Sequence, residues 1–333
     1  MSSNQKKILI VGCGNIGKRH LQHASECANI VGICDIDISK TETLAKEYNT
    51  QAFDSLSDAL NHLKNIDLVS ICTPNGLHAE HSIAVLEKGI NVLCEKPMAI
   101  SSKSAQKMIR IANRHDKKLF VVKQNRYNPP IEYLKKIIED GTLGRIYSFQ
   151  VNGFWNRPTD YYRDWKGTKK LDGGTLYTQF SHFIDLILWL FGDVHKASLI
   201  KANYNHPKIE FEDAGVVSFV MEDGAIGAFN YTVNSFSKNM EGSITVFAEF
   251  GTVKVGGQYL NELEYFDVKS LVAPNLPIGN GANNYGTYRG SMSNHDKIYA
   301  NVIKALEDDT FPFLEGKEAY KTVALIESLY NRK

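Results

Sequence analysis

The feature that most constrains this chain is Gly12-Cys13-Gly14-Asn15-Ile16-Gly17. This G-x-G-x-x-G run sits between an apolar stretch at 7–11 and a segment of helical periodicity at 16–27. A strand that turns through glycines into a helix opens a βαβ unit and builds an anion site. Gly12 permits the tight turn, Gly14 lets backbone approach a pyrophosphate, and Gly17 lets the helix lie close to the strand. The helix N-terminus, opened by Asn15 and Ile16, then offers unsatisfied N–H groups to phosphate. A carboxylate follows at the end of the next apolar run, Asp35. At that position it can accept both ribose hydroxyls of an adenosine and would repel a 2′-phosphate, so NAD is expected over NADP. Asp37 competes for this role. Lys40 lies within reach of a phosphate, which keeps NADP open as the less favoured cofactor.

The alternation continues. Apolar strand-like runs at 30–34, 51–53, 68–72, 91–94 and 119–123 are separated by helical patterns beginning at 39 and spanning 77–88 and 101–115. Such alternation predicts a parallel, doubly wound Rossmann sheet with helices on both faces. The pattern changes after about residue 125. Pro129-Pro130 opens a helix at 131–140, and long strand-like segments follow at 145–156, 196–204, 214–221, 225–233, 243–250 and 259–268. Glu222-Asp223-Gly224 is a hairpin signal between two of them. One helix at 175–191 interrupts the strands, and helices at 294–306 and 317–330 finish the chain. The reading is two domains: an NAD-binding Rossmann domain, 1–125, and a substrate-binding α+β domain, 126–333, on a large, mostly antiparallel sheet. Helices on one face leave the other to be covered by a second subunit, which predicts a homodimer or homotetramer.

The 333 residues exceed one comfortable core, consistent with two domains. A formal net charge of +1 gives no general attraction to nucleic acid or an anionic membrane, so neither is expected as a partner. The longest apolar stretch, 183–191, is broken by Asp185 and is too short to span a bilayer. Five cysteines, none in a C-x-x-C pair, and a start without a signal-peptide layout predict reduced thiols in a cytoplasmic protein.

Further motifs carry a resemblance. Thr73-Pro74-Asn75-Gly76-Leu77-His78 follows the fourth strand and Glu95-Lys96-Pro97 the fifth; Gly173-Gly174-Thr175-Leu176 precedes His182-Phe183-Ile184-Asp185. With the glycine loop, these resemble the Gfo/Idh/MocA oxidoreductase family over essentially the whole chain. The resemblance implies a dehydrogenase acting on CH–OH groups of sugars. It implies that Thr73, Pro74, Asn75, His78, Glu95, Lys96, Gln124 and Trp165 join the glycine loop and Asp35 in binding cofactor. Lys96, Arg126, Thr178, His182, Asp185 and Tyr288 would bind substrate.

The chemistry fits those residue types. Both loops follow parallel strands, where doubly wound sheets place ligands. Lys96 can hydrogen-bond a reacting hydroxyl and stabilise alkoxide character. Pro97 fixes the turn, with its isomer undecided. At helical spacing, Thr178, His182 and Asp185 share one face of 175–191, while Phe180, Ile184, Ile187 and Phe191 share the other. His182 can then take or return the hydroxyl proton, and Asp185 can anchor substrate or orient its neighbours. The roles of Lys96 and His182 are interchangeable at this stage. His78 and His81 have metal-binding spacing without further ligands, so no metal is expected.

Thr178 stands where the family often carries an acid or Asn, Phe180 where glycine is common, and Asp172 where a third glycine is usual. The missing acid favours members that act on nucleotide-linked sugars in polysaccharide biosynthesis. A free-sugar or inositol dehydrogenase, an enzyme whose NAD cycles without release, and a non-enzymatic NAD-binding regulator are the alternatives. The stretch 285–299, with Arg289, Ser291, Asn294, His295 and Lys297, is rich in groups able to bind phosphate or carboxylate.

Overall fold

The computed structural model describes residues 5–284, 286, 289–313 and 315–331. The chain forms two compact units, 1–122 with 295–324, and 123–294 with 325–333.

In the first unit, strands β1 (Lys7–Val11), β2 (Asn29–Cys34), β3 (Ala52–Phe53), β4 (Leu68–Ile71), β5 (Asn91–Cys94) and β6 (Leu119–Val121) form one sheet in the order β3-β2-β1-β4-β5-β6. Every pairing is parallel. Helices α1 (Asn15–Cys27), α2 (Ile38–Glu47), α3 (Leu56–His62), α4 (His78–Glu87) and α5 (Ser102–Arg114) connect the strands. Strands β1, β4 and β5 are almost wholly buried, as continuous apolar runs require when both sheet faces are covered. Ser55 and Ser101 cap α3 and α5 by accepting the backbone N–H three residues on. The strand order reverses between β1 and β4, and the glycine loop and the Thr73 loop leave those strands at their carboxyl ends, where such sheets bind ligands.

In the second unit, α6 (Pro129–Glu139) is followed by β7 (Ile146–Phe154), α7 (Thr175–Thr178), α8 (Ser181–Phe191), β8 (Val194–Ala202), β9 (Ala214–Met221), β10 (Ile226–Thr232), β11 (Glu241–Ala248), β12 (Gly251–Gly256) and β13 (Glu262–Val268). The seven-stranded sheet runs β13-β12-β11-β7-β10-β9-β8 and is antiparallel except where β7 pairs with β10. A small hairpin of β14 (Ala282–Asn284) and β15 (Arg289–Met292) stands apart from it. One face of the large sheet buries Phe149, Val151, Val217, Phe219, Phe229, Tyr231, Ile244 and Val246. The rings of Phe180 and Phe183 pack onto this layer against Phe229. On the other face Ile200, Val216, Ile226 and Phe247 are exposed.

Three sequence expectations need correction. The helix expected at 175–191 is two helices, broken at Gln179 and Phe180. Phe180 leaves helical geometry (φ −115°, ψ 7°) and its fully buried ring sits among Trp155, Phe183, Phe229 and Tyr231. Burying that ring outweighs one more helical turn. Thr178 therefore lies on a different helix from His182, and the single polar stripe does not exist. Secondly, the division expected at 125/126 misplaces a C-terminal segment: α9 (His295–Glu307) and the start of α10 (Gly316–Asn331) belong with the first unit. Its buried face, Ile298, Tyr299, Val302 and Ala305, completes that unit's core. Thirdly, the fold adds α3 and β12 to the expected elements; both are short, and β12 is bounded by glycines.

Candidate active site

The glycine loop has the geometry its residues predict. Gly12 has φ +98°, and a methyl there would lie 2.6 Å from the carbonyl oxygen of Cys72. A methyl on Gly17 would lie 1.8 Å from the carbonyl oxygen of Gly12, so the helix start rests directly on the turn. A methyl on Gly14 would meet no atom within 4 Å. The open side of the loop is thus at Gly14, where α1 begins without a side-chain cap at Asn15 and Ile16. That is a cradle suited to pyrophosphate.

Asp35 does two things. Its Oδ2 accepts the Cys13 backbone N–H at 2.7 Å and its Oδ1 accepts that of Asp37 at 3.0 Å. A carboxylate has further lone pairs for ribose hydroxyls. Asp37 is instead engaged by neighbouring side chains: its carboxylate accepts from the Ser39 hydroxyl at 2.6 Å and pairs with Lys40 at 2.9 Å. Those bonds hold the Asp37 carboxyl down at about 2.

At the end of β4, Thr73 Oγ1 lies 3.1 Å from His81 Nδ1, Pro74 precedes a short 3₁₀ turn, and Asn75 is buried. His78, expected at the cofactor, has both ring nitrogens on backbone oxygens, of Pro97 and of Thr73, each at 2.7 Å. It ties the Thr73 loop to the Lys96-Pro97 loop, whose peptide bond is cis. Glu95 is buried; its Oε2 accepts the backbone N–H of Lys96 at 2.9 Å, and its Oε1 lies 3.0 Å from His20 Nε2 and 3.2 Å from His295 Nε2. His20 and His295 were not expected here. The signal available was a histidine on the buried face of α1, beside Gly17, Leu21 and Ala24. Among the described residues, His20, Glu95 and His295 are also the group spaced closely enough to hold a metal.

In the second unit His182 is buried at the start of α8. Its Nε2 lies 3.2 Å from the side-chain nitrogen of Gln124, which also donates to Ser291 Oγ at 3.1 Å. One turn on, Asp185 accepts from Lys123 Nζ at 2.6 Å and from Arg126 Nε and Nη2 at 2.8 and 2.9 Å. Burial pushes its carboxyl up, but the two cations overcome this and hold it well below the usual range. Arg126 also lies 4.9 Å from the Trp189 ring. Of the two roles open to Asp185, these contacts favour orienting its neighbours. Thr178 ends α7, and Trp165 is half-buried in the preceding loop with Lys166 Nζ 5.6 Å from its ring. Tyr288 and Tyr285 lie outside the described residues. In the stretch with groups able to bind phosphate or carboxylate, His295 meets the carboxylate of Glu95, while Asn294 donates to Gln124 O and Asn128 Oδ1 and Ser291 accepts from Gln124.

No helix among the described residues is long and apolar enough to cross a membrane.

The first unit is a parallel six-stranded sheet with a glycine-loop cradle, the architecture of the dinucleotide-binding Rossmann class, and the second unit carries a buried histidine. The family profile described as oxidoreductase family, NAD-binding Rossmann fold, matches residues 6–123, and the Gfo/Idh/MocA C-terminal domain matches 131–254. The chain belongs to the Gfo/Idh/MocA oxidoreductase family.

Two solved structures are similar over nearly the whole chain. The WlbA dehydrogenase of Chromobacterium violaceum, in complex with NADH and UDP-GlcNAcA, is 33% identical with a TM-score of 0.89, covering 99% of this chain and 94% of that one. The Bordetella pertussis WlbA dehydrogenase, with the same two ligands, is 35% identical with a TM-score of 0.87, covering 98% and 96%. Among curated relatives, the 2,7-anhydro-N-acetylneuraminate hydratase of Mediterraneibacter gnavus is 30% identical over 217 residues, 63% of this chain and 56% of that protein. The glucose-6-phosphate 3-dehydrogenase of Bacillus subtilis is 31% identical over 206 residues, 60% and 58%. The chain thus spans little more than half the length of these curated relatives.

Proposed function

We propose that this protein is an NAD-dependent dehydrogenase acting on a secondary alcohol or ketone carbon of a nucleotide-linked sugar. The observation that carries this reading is the pairing of a built dinucleotide cradle with full-length likeness to two dehydrogenases solved with NADH and UDP-GlcNAcA. The lack of an acid at Thr178 supports it as well. NAD is favoured over NADP because a carboxylate at the end of β2, Asp35, would repel a 2′-phosphate, and Lys40, which could receive one, is paired with Asp37.

The residues divide the work as follows. Gly12, Gly14, Gly17 and the first N–H groups of α1 hold the pyrophosphate, and Asp35 holds the adenosine ribose. A nicotinamide cofactor held there would supply the hydride chemistry at the substrate carbon. His182 takes the hydroxyl proton during oxidation and returns it during reduction. The Gln124 side-chain N–H meets His182 Nε2 at 3.2 Å, which puts the ring proton on Nδ1; the substrate hydroxyl must displace that N–H for Nε2 to take its proton. Lys96 donates to the substrate oxygen and stabilises its negative charge. Asp185, through Lys123 and Arg126, holds the start of the second unit against α8.

Purified protein with NAD and a panel of UDP- and dTDP-linked sugars should raise absorbance at 340 nm with at least one of them. Turnover of free sugars only would sink the nucleotide-sugar part. A second reading, in which NAD cycles without net redox change, is favoured by the hydratase among the relatives. It would show product by mass spectrometry with no net change at 340 nm. The exposed apolar row Ile200, Val216, Ile226 and Phe247 supports a homodimer or homotetramer built through the large sheet. Light scattering that gives a monomer at micromolar concentration would exclude it.

A further inference from the structure

The buried cluster around Glu95 has one consistent assignment of protons. Glu95 Oε1 faces two imidazole nitrogens, His20 Nε2 and His295 Nε2, and Oε2 faces the Lys96 backbone N–H. A carboxylate only accepts, so both imidazoles present Nε2–H to it. His20 Nδ1 is then a lone pair, and it accepts from Tyr299 Oη at 2.9 Å; Ser70 Oγ, 2.9 Å from the same oxygen, donates in turn. The chain Ser70, Tyr299, His20, Glu95 therefore runs in one direction and ends on the negative charge. Burial opposes the charged form of Glu95, yet the hydrogen bonds from His20 and His295 hold its carboxyl well below the usual range. Burial pushes His20 down, which keeps it neutral. These partners come from α1, β4 and α9, with His295 lying 200 residues from Glu95 in sequence.

We propose that His20 and His295 are positioning residues: imidazoles that present Nε2–H to Glu95 and so, through Oε2, fix the backbone of Lys96. Glu95 is then a hub beneath the Lys96 loop and not a cofactor contact. The consequence for turnover rests on the reading of Lys96 as a substrate-facing residue; the proton assignment does not. Among the described residues His295 Nδ1 has no hydrogen-bond partner, so a glutamine amide can replace the Nε2 donor without depriving another side chain of a partner.

The test uses the full chain. Long-range ¹⁵N–¹H spectra of the histidine rings, assigned with His20→Gln and His295→Gln, should show both rings as Nε2–H tautomers. Nδ1–H for either overturns the proposal. Elemental analysis showing one equivalent of zinc per chain in protein purified without chelator overturns it too, because a metal requires lone pairs where the proposal puts protons. In kinetics, His295→Leu should lower kcat 10- to 100-fold with KM and NADH affinity within about threefold of wild type, and His295→Gln should recover most of kcat. Equal kcat in both variants, low or unchanged, overturns the positioning role. Should His295→Leu fail to fold, Tyr299→Phe, which removes the donor to His20 and the acceptor of Ser70, serves instead and should lower kcat without moving KM. Lys96→Met judges the functional reading separately: wild-type turnover in that variant sinks the role of Lys96, and with it the kinetic claim, while the tautomers still decide the proton assignment.

Discussion

The α-carbon of Gly17 faces the carbonyl of Gly12 so closely that a methyl would lie 1.8 Å from its oxygen. No side-chain adjustment relieves this contact, because the obstacle is backbone. Gly17→Ala must therefore tilt α1 or distort the turn, and either displaces the N–H groups that face the cofactor. We expect NAD affinity to fall at least tenfold, about 1.4 kcal/mol, by calorimetric titration. An unchanged Kd would mean that the loop does not hold the pyrophosphate.

Asp35 anchors the glycine loop through Cys13 and the following turn through Asp37. Asp35→Ala removes both acceptors and the negative charge. NAD should bind about tenfold or more weakly, while NADP should lose less or gain, so the ratio of their Kd values narrows. Titrations with both dinucleotides measure it; an unchanged ratio would place cofactor discrimination elsewhere.

His182→Asn should lower kcat by a factor of about 10² to 10⁴, the range for loss of a general acid–base. NAD affinity should change little, since the Gly12–Gly17 loop is untouched. Steady-state kinetics and a separate NADH titration provide the check. A variant with near-normal kcat would transfer proton handling to Lys96.

Asp185→Asn leaves Lys123 and Arg126 without their shared carboxylate. Losing one member of a buried charged group costs about 3–5 kcal/mol, and thermal denaturation should show it at neutral pH. The pH dependence has a definite sign. The folded carboxyl lies well below its unfolded value of about 3.9. Its contribution is complete above that value and is lost as pH falls through the depressed folded pKa. The Tm gap between wild type and variant should be constant above about pH 5 and narrow in more acidic buffer. A gap that narrows between pH 8 and 6 would point to a different group.

The legible parts of the site were those made by neighbours in sequence. Gly12, Gly14 and Gly17 act through local backbone geometry, and Asp35 through its place at the end of a strand, so spacing alone located them. Lys96 and Asn75 follow strands whose carboxyl ends a parallel sheet must bring together. The helix at 175–191 was less legible, because periodicity favours one helix while the volume of the Phe180 ring demands a break. His295 is legible as a group able to bind a carboxylate; that the carboxylate is the buried Glu95, 200 residues away, is not.

By itself, the sequence determined the strand and helix alternation, the cofactor loop and the family, since each depends on local pattern and short spacing. Only the tertiary structure decided that α9 returns to the first unit, that Asp185 is shared by Lys123 and Arg126, and that Glu95 is held by histidines from two distant helices. Those are pairings of buried polar groups. A buried charge must find partners wherever the fold brings them, and separation along the chain places no limit on where that is.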